Sequence, residues 1–230
     1  MKKLLNIAIL MSLVAVTFTS CKDDEDPVVT TPIAGKAKLM VVHASPDAPG
    51  VDFLVNDVKQ NSSALTFPNN TPYLEVEEGT KNLKVNVAGT STTVINADVP
   101  FTKDKNYTLF AIDSVSNIGT LLLEDNLAAP AAGKAHIRFV HLSPDAPAVD
   151  VAVTGGSVLF ADYAFEEASA FTPVDAGTYN LEVRVAGTTT VALPLPGIAL
   201  TSGKIYTVFA KGFLGGTGAQ ALGAQIIVNN

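Results

Sequence analysis

The chain has 230 residues, of which 47% are hydrophobic and only 16% are charged, and its formal net charge is −7 at pH 7. An acidic chain repels phosphate backbones, and no basic cluster occurs beyond the first residues, so nucleic acid is excluded as an expected partner. The 13 Pro and 17 Gly stand mostly between short apolar runs, which is typical of a β protein rich in turns.

The first twenty residues have the pattern of an export signal. Lys2 and Lys3 supply a positive start, and the apolar run 4–18 is shorter than the roughly 20 residues of a transmembrane helix. The run leads into Cys21, the single cysteine, through Phe-Thr-Ser-Cys. This resembles a lipobox, where a lipoprotein signal peptidase cleaves before a diacylated cysteine. We predict a signal peptide at 1–20 and lipidation of Cys21; the alternative is an ordinary signal peptide with an incidental cysteine.

Residues 22–26, Lys-Asp-Asp-Glu-Asp, form a charge run of the kind that usually serves as a solvated linker. The run also resembles the lysine-plus-acidic signal that sends lipoproteins of the Bacteroidetes group to the outer face of the outer membrane. Because Pro27 and Pro32 follow, we interpret residues 21–34 as an extended tether. The predicted location is the cell outer membrane, with a lipid anchor and surface exposure; the periplasmic face is the alternative.

The rest of the chain contains one sequence twice. Residues 35–58 read GKAKLMVVHASPDAPGVDFLVNDV and residues 133–156 read GKAHIRFVHLSPDAPAVDVAVTGG, so 13 of 24 positions are identical at a constant offset of 98. Matching segments continue downstream, with a single-residue insertion in the second copy. This is the length of a duplicated domain, not of a short solenoid repeat. We predict a domain at 35–128, a linker of small residues at 129–132 and a second domain at 133–230.

Apolar residues alternate with polar residues within each copy. Leu83, Val85 and Val87 share one face while Lys84 and Asn86 take the other, which is the period-two pattern of a half-buried strand. Further apolar runs, bounded by Asn, Gly, Asp and Pro, occupy residues 37–43, 51–55, 73–77, 106–112 and 118–124. About seven short strands in each copy predict an all-β fold of two tandem antiparallel β-sandwiches, immunoglobulin-like in type.

The pattern Val-His-x-Ser-Pro-Asp-Ala-Pro-x-Val-Asp occurs at residues 42–52 and again at 140–150. We call each occurrence the repeated block. It resembles the hallmark of the family called domain of unknown function 4397. The resemblance covers nearly the whole chain after the tether. It implies a secreted or surface bacterial protein with tandem copies, and it supplies no catalytic residues.

The polar residues of the repeated block are the candidate site. They are His43, Ser45, Asp47 and Asp52 in the first copy and His141, Ser143, Asp145 and Asp150 in the second. A Ser, a His and a carboxylate suggest a hydrolase, since an imidazole that a carboxylate orients can activate a hydroxyl. However, the His and Ser stand two apart on an extended segment, and no nucleophile-elbow motif is present. We expect no catalysis, and a hydrolase with a site near His43 or His141 stays as an alternative.

A structural role fits the block better. His141 is in phase with Ala135, Ile137 and Phe139, the expected inward face of its strand. We therefore predict that this histidine lies at the edge of the core and hydrogen-bonds the backbone of the Ser-Pro-Asp-Ala-Pro loop. Ser and Asp side chains cap such turns themselves. The block is thus predicted to be a structural corner whose loop is also the candidate place for a ligand.

Metal and glycan binding are weaker alternatives. Asp47 and Asp52 offer oxygens to Ca²⁺, but a calcium site takes about six to eight oxygens, so we predict no metal and no cofactor. Sugar-binding surfaces usually present aromatic side chains, whereas this chain has no Trp and five Tyr. Tyr107 and Tyr206 occupy equivalent places in the two copies, and we interpret them as residues at the core edge.

The predicted function follows from these observations. We expect a non-catalytic cell-envelope lipoprotein, not an enzyme, that is bound to the membrane by its lipid and binds or scaffolds an unidentified protein or glycan. A glycan-binding accessory lipoprotein is the alternative. The glycine-rich segment 212–218 lacks the Lys-Ser/Thr of a phosphate loop, and we interpret it as a flexible hairpin tip.

Overall fold

The computed structural model describes residues 35–230. This part of the chain contains sixteen β-strands and two single-turn 3₁₀ helices, Val115–Asn117 and Gly218–Gln220. None of its helices is long and apolar enough to span a bilayer. The predicted signal peptide, the lipidation site at Cys21 and the tether lie outside the described residues.

The first repeat is a sandwich of two four-stranded sheets. Its strands are β1 (Lys36–His43), β2 (Val51–Val55), β3 (Val58–Lys59), β4 (Leu74–Glu77), β5 (Gly79–Val87), β6 (Thr93–Phe101), β7 (Asn106–Ile112) and β8 (Gly119–Glu124). The strand order is β4-β1-β7-β8 in one sheet, which we call the inner sheet, and β3-β2-β5-β6 in the other, the outer sheet. The apolar runs of the sequence coincide with β1, β2, β4, β7 and β8.

The second repeat has the same arrangement. Its strands are β9 (Lys134–His141), β10 (Val149–Val153), β11 (Val158–Tyr163), β12 (Thr172–Asp175), β13 (Gly177–Val185), β14 (Val191–Leu200), β15 (Ile205–Lys211) and β16 (Gly223–Val228). The inner sheet has the order β12-β9-β15-β16 and the outer sheet β11-β10-β13-β14. The predicted all-β fold of two tandem sandwiches is confirmed.

One strand pair in each repeat is parallel, which the antiparallel prediction did not include. β1 pairs with β7 in parallel, and β9 pairs with β15 in the same way, while the other strand pairs are antiparallel. The reason lies in the connection. Between β4 and β7 the chain passes through the outer sheet as β5 and β6, and it therefore returns to the inner sheet in the direction of β1.

Each repeat has a core between its own two sheets. In the first repeat Leu39 and Val41 of β1 meet Phe53 of β2 and Leu83 and Val85 of β5, and all five are buried. Equivalent positions build the second core. Burial of one such side chain stabilises a fold by about 1.5–3 kcal/mol. The period-two alternation of the strands therefore supplies the free energy that holds the paired sheets together.

A third core joins the repeats. Met40 and Val42 on the opposite face of β1 and Phe110 of β7 pack with Val140 of β9 and Phe209 of β15. The two phenylalanine rings meet edge to face, with centroids 5.8 Å apart. Both inner sheets are thus covered on both faces, which gives four layers in the order outer, inner, inner, outer. Ala34–Asn230 forms one compact unit that contains all three cores.

The single-residue insertion of the second repeat lies in an edge strand. The register between β13 and β14 shifts between Tyr179 and Leu181, and the bulge contains Gly197 with φ of 70°. The N–H of Gly197 donates to the side-chain oxygen of Asn180 at 3.0 Å. A positive φ favours glycine. The bulge accommodates the extra residue, so the apolar side chains before and after it still point to the same face of the sheet.

Candidate functional site

The two copies of the repeated block occupy the same place in the two sandwiches. His43 ends β1 and His141 ends β9. The chain then turns through the Ser-Pro-Asp-Ala-Pro loop and enters β2 or β10 at the Val-Asp pair. In each repeat the block therefore carries the chain from the inner sheet to the outer sheet.

The two histidines are buried and bonded to the loop. Nε2 of His43 lies 3.0 Å from the carbonyl oxygen of Pro49, and Nε2 of His141 lies 3.1 Å from that of Pro147. Because a carbonyl only accepts, each Nε2 carries the proton. Nδ1 of each ring is buried without a hydrogen-bond partner among residues 35–230. Burial lowers the pKa of both imidazoles, so they are neutral near pH 7.

The two serines are buried but differ in their partners. The hydroxyl of Ser143 donates to the carbonyl oxygen of Gly212 at 2.6 Å. The hydroxyl of Ser45 has no hydrogen-bond partner within the described part of the chain. Each serine stands two residues after its histidine, and the described hydrogen bonds join neither Ser45 to His43 nor Ser143 to His141.

Asp47 and Asp145 tie the block to a neighbouring connection. Asp47 accepts the N–H of Val115, which follows β7, at 2.9 Å. Asp145 accepts the N–H of Leu214, which follows β15, at 2.8 Å. Each carboxylate thus accepts a hydrogen bond from a backbone N–H that lies outside the strands and has no partner in a sheet.

Asp52 and Asp150 anchor the outer sheet. Each accepts at 3.0 Å the N–H of a glycine in the next hairpin, Gly89 or Gly187. Asp52 is also 2.8 Å from Nζ of Lys59. The hydrogen bond from Lys59 is the main cause that lowers the pKa of the Asp52 carboxyl, and the bond from the Gly89 N–H lowers it further. The other oxygen of Asp150 accepts a backbone N–H of β11 at 2.8 Å.

The chemistry of the block is therefore that of a corner. The hydrogen bonds of its histidines and aspartates run chiefly to backbone groups, and within residues 35–230 no bond links a histidine to a serine or aspartate of the block. The structure also contains, in its described part, no group of three or more His, Cys, Asp or Glu side chains arranged to hold a metal ion. Asp47 and Asp52, the candidates for Ca²⁺, bind N–H and ammonium donors instead.

The two equivalent tyrosines lie where the sequence placed them. Tyr107 and Tyr206 are each 7% exposed and belong to the first and second cores. Their hydroxyl oxygens accept the backbone N–H of Thr102 at 3.3 Å and of Thr201 at 3.1 Å. These rings are part of the packing and do not form a surface on which a sugar stacks.

Beside the repeated block of the second repeat lies an apolar cavity of about 100 Å³. The block contributes His141, and β14 and the connection between β15 and β16 contribute Ala192, Leu214 and Leu222. Sequence reasoning missed this cavity. The available signal was the comparison at offset 98, which aligns Ala192 with the larger Val94.

A buried ion pair between the repeats was also missed. Arg138 of β9 and Asp125, which follows β8, are 2.7 Å apart with side chains 3% and 0% exposed. Thr108 donates to Asp125 at 2.6 Å and accepts from Arg138 at 3.2 Å. Thr207 accepts from Nε of Arg138 at 2.8 Å. These bonds satisfy charges that would otherwise be very costly to bury.

Two further side chains complete this network. Tyr73 donates its hydroxyl to Asp125 and accepts from Asn229 at 3.1 Å. Burial and the neighbouring Asp125 carboxylate raise the pKa of Tyr73 above its usual value. The guanidinium of Arg138 lies 4.5 Å from the ring centroid of Phe171, a cation–π distance.

Comparisons with known proteins agree with the duplication. A search of curated proteins found no match to this chain. A family described as "Domain of unknown function (DUF4397)" matches residues 37–152 and 144–230. The first match includes both repeated blocks, the second match begins within the block of the second repeat, and together they cover nearly all of the described residues. The chain therefore belongs to the domain of unknown function 4397 family and carries two copies of its domain.

Proposed function

We propose that this chain is a non-catalytic binding or scaffold module of the cell envelope, held at the outer membrane by lipid on Cys21 and exposed at the surface. The observation that carries the proposal is the use of the repeated block. Its histidines and aspartates hydrogen-bond backbone groups of their own loop and of neighbouring connections. Side chains used in this way hold loops in position, and they leave no base beside a nucleophile.

The anchor is supported by the sequence around Cys21. The single cysteine stands directly after an apolar export segment, and a charged tether with two prolines follows it. One acyl chain binds a membrane only marginally, whereas two or three hold a protein firmly. In this proposal the predicted tether has the role of separating the folded unit from the lipid surface.

The binding role is supported by the rigidity of the unit. Three cores hold four sheets together, and the connections at their ends are fixed by Asp47, Asp145 and the histidines. Loops on such a frame present their side chains in a defined arrangement, which suits recognition of a protein or glycan. The negative net charge opposes nucleic acid as the partner.

Metabolic labelling with palmitate tests the anchor. The wild-type chain expressed in a bacterium of the Bacteroidetes group should incorporate label, Cys21→Ser should not, and Ser20→Ala should still be labelled as a matched control. Protease added to intact cells should digest the labelled protein. If the wild-type chain stays unlabelled, the proposed lipid anchor is wrong. If the labelled protein resists the protease, the protein lies on the periplasmic face and not at the cell surface.

A second experiment tests the absence of catalysis. Ala34–Asn230, the compact unit, is applied to glycan and protein arrays and assayed with ester and glycoside substrates. The proposal expects saturable binding on an array and no turnover. Ester hydrolysis that disappears in folded Ser45→Ala or Ser143→Ala would instead establish the hydrolase.

A further inference from the structure

The cavity of the second repeat is built entirely from uncharged groups. Apart from His141, its walls are aliphatic side chains of the block, β10, β13, β14, β15 and the connection after β15. The His141 ring uses Nε2 on the Pro147 carbonyl, and burial keeps it neutral. Such a site offers an ion nothing to pair with, and it offers a water molecule too few of the polar partners that water needs.

The first repeat fills the corresponding place with its own side chains. The pairing of β5 with β6 and of β13 with β14 makes Val94 the counterpart of Ala192. Val94 and Ile118 pack against the first core. In the second repeat their counterparts, Ala192 and Leu222, line the cavity instead. The loss of two methyl groups at position 192 thus removes side-chain volume that Val94 supplies in the first repeat.

The connection that covers this space is longer in the second repeat. Six residues link β7 to β8, whereas eleven link β15 to β16. Leu214 and Leu222, near the two ends of this connection, line the cavity, and the added residues lie between them. Its backbone is held closely, because a side chain at Gly212 or Gly216 would overlap the backbone at 220–221. Asp145 also accepts the N–H of Leu214. This closely packed connection therefore holds Leu214 and Leu222 beside the cavity.

The occupant that fits is a small molecule and not an added peptide strand. β14, the edge strand that contributes Ala192, contains Pro194 and Pro196. Proline has no N–H to donate, so this edge is poorly suited to pairing with an extended chain. Ala192 and Leu214 are exposed, so the cavity is open to solvent at their side and a ligand can enter there. An enclosed apolar cavity of about 150 Å³ binds benzene or xenon, and the present cavity of about 100 Å³ limits its ligand to a group of that size or smaller.

We propose that the second repeat binds a small uncharged ligand whose apolar end, no larger than a benzene ring, enters the cavity between Ala192, Leu214 and Leu222. This deepens the binding role proposed above and assigns it to one of the two repeats. The first repeat then serves as the structural copy, in which Val94 stands at the position of Ala192 and packs against the first core.

Titration of ¹⁵N-labelled Ala34–Asn230 with benzene, followed by NMR, tests the assignment. Amide shifts should change at Leu214, Leu222 and Ala192, and benzoate, which adds a charge to the same ring, should not produce them. Ala192→Val copies the side chain of the first repeat and should weaken benzene binding by roughly tenfold or more. Val94→Ala removes the same atoms from the first repeat, and it should leave the response at Leu214 unchanged.

Three results would overturn the assignment: no shift changes with benzene, changes confined to residues away from the cavity, or equal benzene affinity in Ala192→Val. Equal binding of benzoate would contradict the uncharged chemistry. The wild-type titration decides by itself if a variant does not fold. A chain that ignores benzene yet incorporates palmitate would remove only the cavity ligand, whereas failure of the palmitate experiment would remove only the anchor.

Discussion

Arg138 and Asp125 form a buried ion pair across the contact between the two repeats, with Nη2 and Oδ1 2.7 Å apart. The duplication makes their positions unequal. Met40 stands in the first repeat where Arg138 stands in the second, and Asn229 follows β16 as Asp125 follows β8. The second repeat therefore supplies the positive charge and the first repeat supplies the negative charge. This pair links two sandwiches whose own cores are built in the same way.

Arg138→Met is expected to lower the free energy of unfolding by about 3–5 kcal/mol, because it leaves the Asp125 carboxylate buried without its cation. Urea denaturation of Ala34–Asn230 measures the change. The double variant Arg138→Met, Asp125→Asn places at both positions the residue types of the other repeat. It should recover most of the loss, and a single variant as stable as the wild type would contradict the role assigned to this pair.

His141→Ala is expected to lower the melting temperature, since it removes the bond from Nε2 to the Pro147 carbonyl and leaves that acceptor with one partner fewer. The expected cost is about 1–3 kcal/mol. His136→Ala is the matched control, because the His136 side chain makes no hydrogen bond within residues 35–230, and it should change stability less. Unchanged melting of His141→Ala together with lost ligand binding would reverse the assignment of this histidine from structure to function.

Stability should fall as the pH drops below about 6.5, the usual pKa of an unfolded histidine. Burial lowers the pKa of His43 and His141 in the folded chain, so the unfolded chain takes up protons first. The full stability is present above pH 6.5, and the loss grows until the pH reaches the lower folded pKa. Melting temperatures between pH 7.5 and 5 measure this, and His43→Gln, His141→Gln should show a flatter profile. Equal slopes would mean that other groups cause the acid dependence.

Gly212→Ala is expected to destabilise the second repeat by about 1–3 kcal/mol, because its φ is 82° and a Cβ would overlap the Ala221 carbonyl. Gly215→Ala is the matched control, since nothing lies within 4 Å of its Cβ position and its φ is not positive. Chemical denaturation of both variants compares them. Equal stability of the two would show that the connection after β15 adjusts freely.

The repeated block was the part of the site that the sequence could locate. The phase of His141 with Ala135, Ile137 and Phe139 placed it at the core edge, and its bond to the loop is present. Arg138 could not be placed in this way. A charged residue in alternation with apolar ones indicates a solvent-facing position, whereas here a second sheet covers that face and supplies Asp125.

The sequence by itself determined the β-strands, their inward faces and the duplication, because alternation and repeated blocks are local patterns that each segment carries alone. Tertiary structure decided the parallel pair in each inner sheet, the third core and the cavity beside Ala192. Those features depend on which face of one segment meets another segment far along the chain. Burial of Met40 or Arg138 follows from the sheet packed opposite, and no periodicity within a strand encodes that partner.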